Sequence, residues 1–91
     1  LMGSSSRIKP EFLAGKLSAI RNHLEMSQTQ LAEKLSSAKV KLRRSDISRY
    51  ELGLREPSLI FLFQYARLAN VTMEMLVDDA VDVSEFEKRL K

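Results

Sequence analysis

The chain has 91 residues, with fifteen Lys and Arg against twelve Asp and Glu, one histidine and no cysteine. That length allows one domain with an adequate core. The missing thiols remove disulfides, thiolate metal sites and thiol catalysis, and a single histidine leaves little for metal or triad chemistry.

In chain order, residues 1–9 read as a flexible leader whose start, LMGSSSR, lacks the apolar stretch of a secretory signal. No later run is apolar for about eighteen residues, so no membrane span is expected and the cytosol is the default compartment. Pro10 suits a first helical position and Glu11 the positive end of a helix. Leu13, Leu17, Ile20 and Leu24 then form one helical stripe, which predicts a first helix over Glu11–Leu24. His23 sits on its surface with no cluster of ligands around it.

Ser27 and Gln30 form an S-x-x-Q capping box, and Leu31, Ala32 and Leu35 follow on one face. A short second helix is expected over Gln28–Ser36. Ser36–Arg44 alternates cations with Val40 and Leu42. It is expected as a lengthened loop with Val40 and Leu42 tucked inward and Lys39 and Lys41 outward; continuation of the second helix through Lys39 is the alternative. A third helix can begin at Ser45-Asp46, turn Ile47 and Tyr50 inward and end at Gly53, with Pro57 marking a restart.

Ser58–Asn70 is apolar nearly all round, so a fourth helix buried on several sides is expected, with Ile60, Phe61, Tyr65 and Leu68 as surplus surface for a second subunit. Asn70 can close it in a left-handed conformation, and Thr72 can cap a fifth helix with Leu76 and Val77 inward. The four methionines suit gap filling in a core. Ser84-x-x-Glu87 predicts a capped final helix bearing Phe86 and Leu90 on one face. Such a short helix must dock, on its own domain or on a partner, so Phe86 and Leu90 also count as dimer candidates. The expected organisation is a leader over 1–9, a domain over 10–80 and a helical tail over 81–91.

Charge is uneven. Residues 1–58 hold eleven Lys and Arg against six Asp and Glu, whereas residues 59–91 hold four against six. Lys39, Lys41, Arg43, Arg44 and Arg49 face only Asp46 between them. Alone, such a cluster would read as a solvated face. Beside two short helices joined by a polar connection, it reads as a surface built to meet phosphate.

Taken in order, SQTQLAEKL and DISRYELGLREPS resemble the phage-repressor-type (lambda-repressor-like, xenobiotic-response-element) helix-turn-helix family. Ser27-Gln28, Leu31-Ala32, Ile47-Ser48, Tyr50-Glu51, Gly53 and Pro57 fill its pattern, and the resemblance spans about Glu11 to Val77. The eleven residues between Leu35 and Ile47 are more than the family usually has. The resemblance implies an all-α fold, a five-helix DNA-binding domain with a lengthened connection between helices two and three and a short C-terminal helix. It implies an ion pair between Arg21 and Glu51. It also implies base-reading positions at Arg44, Ser45, Ser48 and Arg49, where the two arginines could address guanine bidentately.

Gln28 and Thr29, at the amide-rich start of helix two, are candidates for phosphate, as are Lys39, Lys41, Arg43 and Arg55. Asp46 could accept from cytosine, although capping its helix suits it better. The expected function is sequence-specific binding of double-stranded DNA by a homodimeric regulator, a repressor, with no cofactor. The carboxylates at Asp78, Asp79, Asp82 and Glu85 come without a Gly-rich loop, a nucleophile–base pair or metal spacing, so no enzyme is expected. The rival reading is a protein-interaction module, such as an antitoxin or adaptor, on the same fold. The cations of the third helix argue against it.

Overall fold

Caps encoded in the sequence set most helix boundaries in the computed structural model, which describes residues 10–90. The expected leader and Lys91 lie outside the described residues. The described residues form six helices: α1 (Leu13–His23), α2 (Gln28–Leu35), α3 (Arg44–Glu51), α4 (Leu59–Ala69), α5 (Met73–Val77) and α6 (Val83–Arg89). The described residues contain no strand.

Ser27 and Gln30 close the capping box of α2: Ser27 Oγ accepts from the Gln30 amide at 3.0 Å, and the Gln30 side chain accepts from the Ser27 amide at 2.8 Å. Ser58 caps α4 and Thr72 caps α5 by the first of these bonds alone, accepting from the Phe61 amide at 3.3 Å and the Met75 amide at 3.2 Å. Three of these helices end in paired reverse bonds around a left-handed residue. Glu25 (φ 57°) follows α1, with its amide on Asn22 O and the Met26 amide on Arg21 O. Gly53 (φ 75°) follows α3, with its amide on Tyr50 O and the Leu54 amide on Arg49 O. Asn70 (φ 58°) follows α4, with its amide on Arg67 O and the Val71 amide on Ala66 O.

The apolar stripe of α1 is the centre of the fold. Leu17 and Ile20 are fully buried and share one core with Leu31, Ile47, Tyr65, Leu76 and Phe86, drawn from every other helix. Helix α1 packs on α3, α4, α5 and α6, while α2 packs chiefly on α3.

Several expectations are corrected. Helix α6 is capped by Asp82, which accepts from the Glu85 amide at 2.8 Å, and Ser84 lies inside the helix. Asp82 wins because its carboxylate also favours the positive end of the helix. Val77 is exposed, since α5 is little longer than one turn and turns Leu76 inward instead. Val40 is exposed as well, and only Leu42 of the connection packs against the core. Helix α3 begins at Arg44, one residue before the expected start. Of the proposed subunit contacts, Tyr65, Phe86 and Leu90 lie inside the domain's own core, while Phe61 and Leu68 are half-buried against it. Helix α6 docks on α1 of its own domain, which buries Phe86 and Leu90, whereas Ile60 stays exposed.

That docking depends on residues whose role is not evident from their type. Lys16 is fully buried and donates to the carbonyls of Met75 at 2.8 Å and Asp78 at 2.9 Å, satisfying acceptors at the C-terminal end of α5. Its ammonium also stands 5.7 Å from the centre of the Phe86 ring. Burial lowers its pKa, against the opposing pull of Asp79, Asp78 and Asp82. Gly15 faces Val83 so closely that a β-carbon there would stand 2.7 Å from a Val83 methyl.

Candidate nucleic-acid interface

Helix α3 turns Ile47 and Tyr50 into the core and leaves Arg44 and Arg49 exposed, with Ser45 and Ser48 half-buried beside them. Positions 44, 45, 48 and 49 recur at one-turn spacing, so they share the outer face of the helix. The N-terminus of α2 lies against this helix. Gln28 bridges the two: its side-chain nitrogen donates to Glu51 Oε1 at 3.3 Å, and its oxygen accepts from Arg44 Nη1 at 3.2 Å. Thr29 is exposed one residue further on.

Glu51 in turn receives a two-pronged bond from Arg21, Nε to Oε2 at 2.7 Å and Nη2 to Oε1 at 3.1 Å. Arg21 also donates to the carbonyl of Met26 at 3.0 Å. The Glu51 bond raises the pKa of the guanidinium above its already high ordinary value. A chain of side chains, Arg21–Glu51–Gln28–Arg44, therefore runs from α1 through α3 and α2 to the outer face of α3. Planar groups joined by several bonds have little rotational freedom, so Gln28 and Arg44 are held before any ligand arrives.

The extra residues between α2 and α3 form a hydrogen-bonded loop. Ser36 Oγ donates to Ala32 O at 2.7 Å and accepts from the Leu42 amide at 2.7 Å, fastening both ends of the loop to the end of α2. The Ser37 amide donates to Val40 O at 2.8 Å, and Ser37 Oγ accepts from the Val40 amide at 3.1 Å. Lys39, Lys41 and Arg43 are exposed on and after this loop.

Asp46 caps its helix as expected, and it also gathers arginines that residue type alone did not reveal. Its side chain is only 9% exposed, and its Oδ2 accepts the Arg43 amide at 2.8 Å, which caps the start of α3 from within. Three guanidiniums surround the same carboxylate: Arg55 at 3.4 Å, Arg49 at 3.9 Å and Arg43 at 3.9 Å. Buried and engaged in this way, Asp46 is not placed to meet a cytosine edge. The spacing of Arg43, Asp46 and Arg49 at three-residue intervals was the available signal.

A family profile described as helix-turn-helix matches residues 17–76. The match covers most of the chain, which therefore belongs to the Cro/C1-type, lambda-repressor-like helix-turn-helix family. No curated protein and no solved structure matches it. The family is DNA-binding and regulatory rather than enzymatic, and its members are typically transcriptional regulators. Among the described residues, no helix is long and apolar enough to cross a membrane.

Proposed function

We propose that this chain is a cytosolic transcriptional repressor that binds double-stranded DNA sequence-specifically as a homodimer. Helix α3 enters the major groove, where Arg44, Ser45, Ser48 and Arg49 meet base edges. Gln28 and Thr29 seat a phosphate at the start of α2, and Lys39, Lys41, Arg43 and Arg55 address the flanking backbone. The observation that carries this reading is the bracing of Arg44 by Gln28, which itself bonds to Glu51. The half-buried Gln28 and the exposed Arg44 are tied to one partly buried ion pair, an arrangement that an adaptor surface has no use for.

One α3 contacts too few base pairs to pick out a genomic site, so two copies are required. Their contact is best supplied by Leu59, Ile60 and Phe63 at the start of α4, which remain exposed although large and apolar. Selection from a pool of random duplexes tests the function. The expected result is enrichment of two similar half-sites at a fixed spacing; no enrichment would overturn it. Sedimentation of the free protein at high micromolar concentration should show a dimer that Ile60→Glu dissociates, and a monomeric parent would refute the contact.

A further inference from the structure

The arginines around Asp46 present a problem that DNA binding alone does not solve. A surface meant only to attract phosphate gains nothing from a carboxylate in its midst, and the bond from the third helical residue back to the cap needs no charge, since the neutral Gln30 makes it at the start of α2. Yet α3 carries a nearly buried aspartate with Arg43, Arg49 and Arg55 all within 4 Å. We infer that Asp46 is a specificity-determining positioning residue, which restrains Arg49 and Arg55 from binding phosphate indiscriminately and holds them in the pose that the correct sequence requires. The inference rests on the DNA-reading function proposed above and deepens it.

The chemistry follows from the shape of the guanidinium. Arg has five donors in a planar fork, so a carboxylate facing one edge leaves another edge free to meet a ligand. Arg49 and Arg55 each approach Asp46 Oδ1 through Nη1, while half or more of each side chain remains exposed. Each can therefore keep its partner and still present donors outward.

On non-cognate DNA, arginines gain by swinging freely to whichever phosphate is nearest, and this sequence-blind term dominates. Asp46 opposes the swing, because an arginine that leaves strips the nearly buried carboxylate of a partner. It also repels phosphate directly. On the cognate site the arginines are already placed, so little side-chain freedom is lost on binding. Asp46 thus weakens the wrong complexes and spares the right one, which widens the ratio between them.

The test compares the parent with Asp46→Asn and Asp46→Glu on a selected duplex and on a scrambled one, at two salt concentrations. Asparagine keeps an oxygen to accept the Arg43 amide and loses only the charge. Glutamate keeps the charge at the cost of the cap. Asp46→Asn should bind scrambled DNA more tightly, with a salt slope steeper by about 0.9 per subunit. Its loss of scrambled-DNA affinity between about 50 and 200 mM salt should then exceed the parent's by about three- to fourfold per subunit. Its ratio of specific to non-specific affinity should fall by about three- to tenfold, the scale of a freed arginine contact. Asp46→Glu should retain the parent's salt slope. An Asp46→Asn protein with the parent's slope and ratio would overturn the inference, leaving Asp46 as a cap alone. Equal losses on both duplexes, together with a lowered melting temperature, would overturn it too. A parent with no preferred sequence is a separate result, which removes the DNA-reading function and this inference with it.

Discussion

Arg21 and Glu51 meet through two parallel bonds of 2.7 and 3.1 Å, and this pair ties the central helix α1 to α3. Glu51 is 7% exposed and Arg21 20%, so neither charge can recover its hydration if the other is removed. Glu51→Ala or Arg21→Ala should each cost about 2–4 kcal/mol, somewhat below the range for fully buried pairs. Because Gln28 also bonds to Glu51, the loss of Glu51 should weaken DNA binding beyond its effect on stability. Melting of the single and double mutants checks the pair, and a cycle with no coupling energy would sink it.

The second prediction concerns Tyr65, whose ring fills the core while its hydroxyl has no hydrogen-bond partner among the described residues. Burial pushes the phenol pKa well above its ordinary value. An unsatisfied buried polar group costs about 1–3 kcal/mol, whereas the same ring without the oxygen costs nothing. Tyr65→Phe should therefore melt at or above the parent, with a gain of about 1 kcal/mol. A loss of that size in urea unfolding would show that the hydroxyl is satisfied in solution.

Asp79 sets a pH dependence. Its carboxylate accepts the Glu11 amide at 2.8 Å and the Phe12 amide at 3.2 Å, joining the turn after α5 to the entry of α1. The Glu11 bond first, and then the Phe12 bond and the Lys16 charge, hold its pKa below the ordinary 3.8. Below 3.8 the unfolded chain takes up the proton before the folded one does. The stability that Asp79 contributes is thus complete above that value and is lost as pH falls through the lower folded value. Asp79→Ala should melt below the parent at pH 7, and the difference should shrink in strong acid. A difference that stays constant down to about pH 2 would contradict the assignment.

Arg44 and Lys41 should differ in kind. Arg44 opens α3 with its guanidinium braced by Gln28, so its replacement by alanine should cost about 1–3 kcal/mol on the best site and relax preference at one base pair. Lys41 stands exposed on the loop before α3, where an ammonium would reach the DNA backbone alone under the proposed function. Its loss should weaken all sequences alike and lower the salt slope by about one per half-site. Titrations against a selected and a scrambled duplex separate the two, and equal, sequence-blind losses would refute the register.

Much of this architecture was legible because it is local. Ser27 with Gln30, Thr72, Gly53 and Asn70 act within one turn of chain, and a cap or a left-handed residue works by the same geometry wherever the helix lies. The stripe Leu13–Leu17–Ile20 likewise declares a buried face by spacing alone, and the ordered motifs from Ser27 to Pro57 declare the family.

What only the tertiary structure decided is where long-range partners stand. Phe86 and Leu90 show a docking face by their spacing, but nothing local says whether it closes on α1 or on another subunit; the steric room left by Gly15 and the buried ammonium of Lys16 decide that. Lys16 does occupy the stripe between Leu13 and Ile20, yet a lysine there is tolerable only because the carbonyls of Met75 and Asp78, some sixty residues away, turn to meet it. Asp46 likewise shows its cap in sequence, whereas its encirclement depends on Arg55 returning past Gly53. Periodicity and capping act along the chain; burial of charge depends on which distant groups can share it, and that is set only when the helices pack.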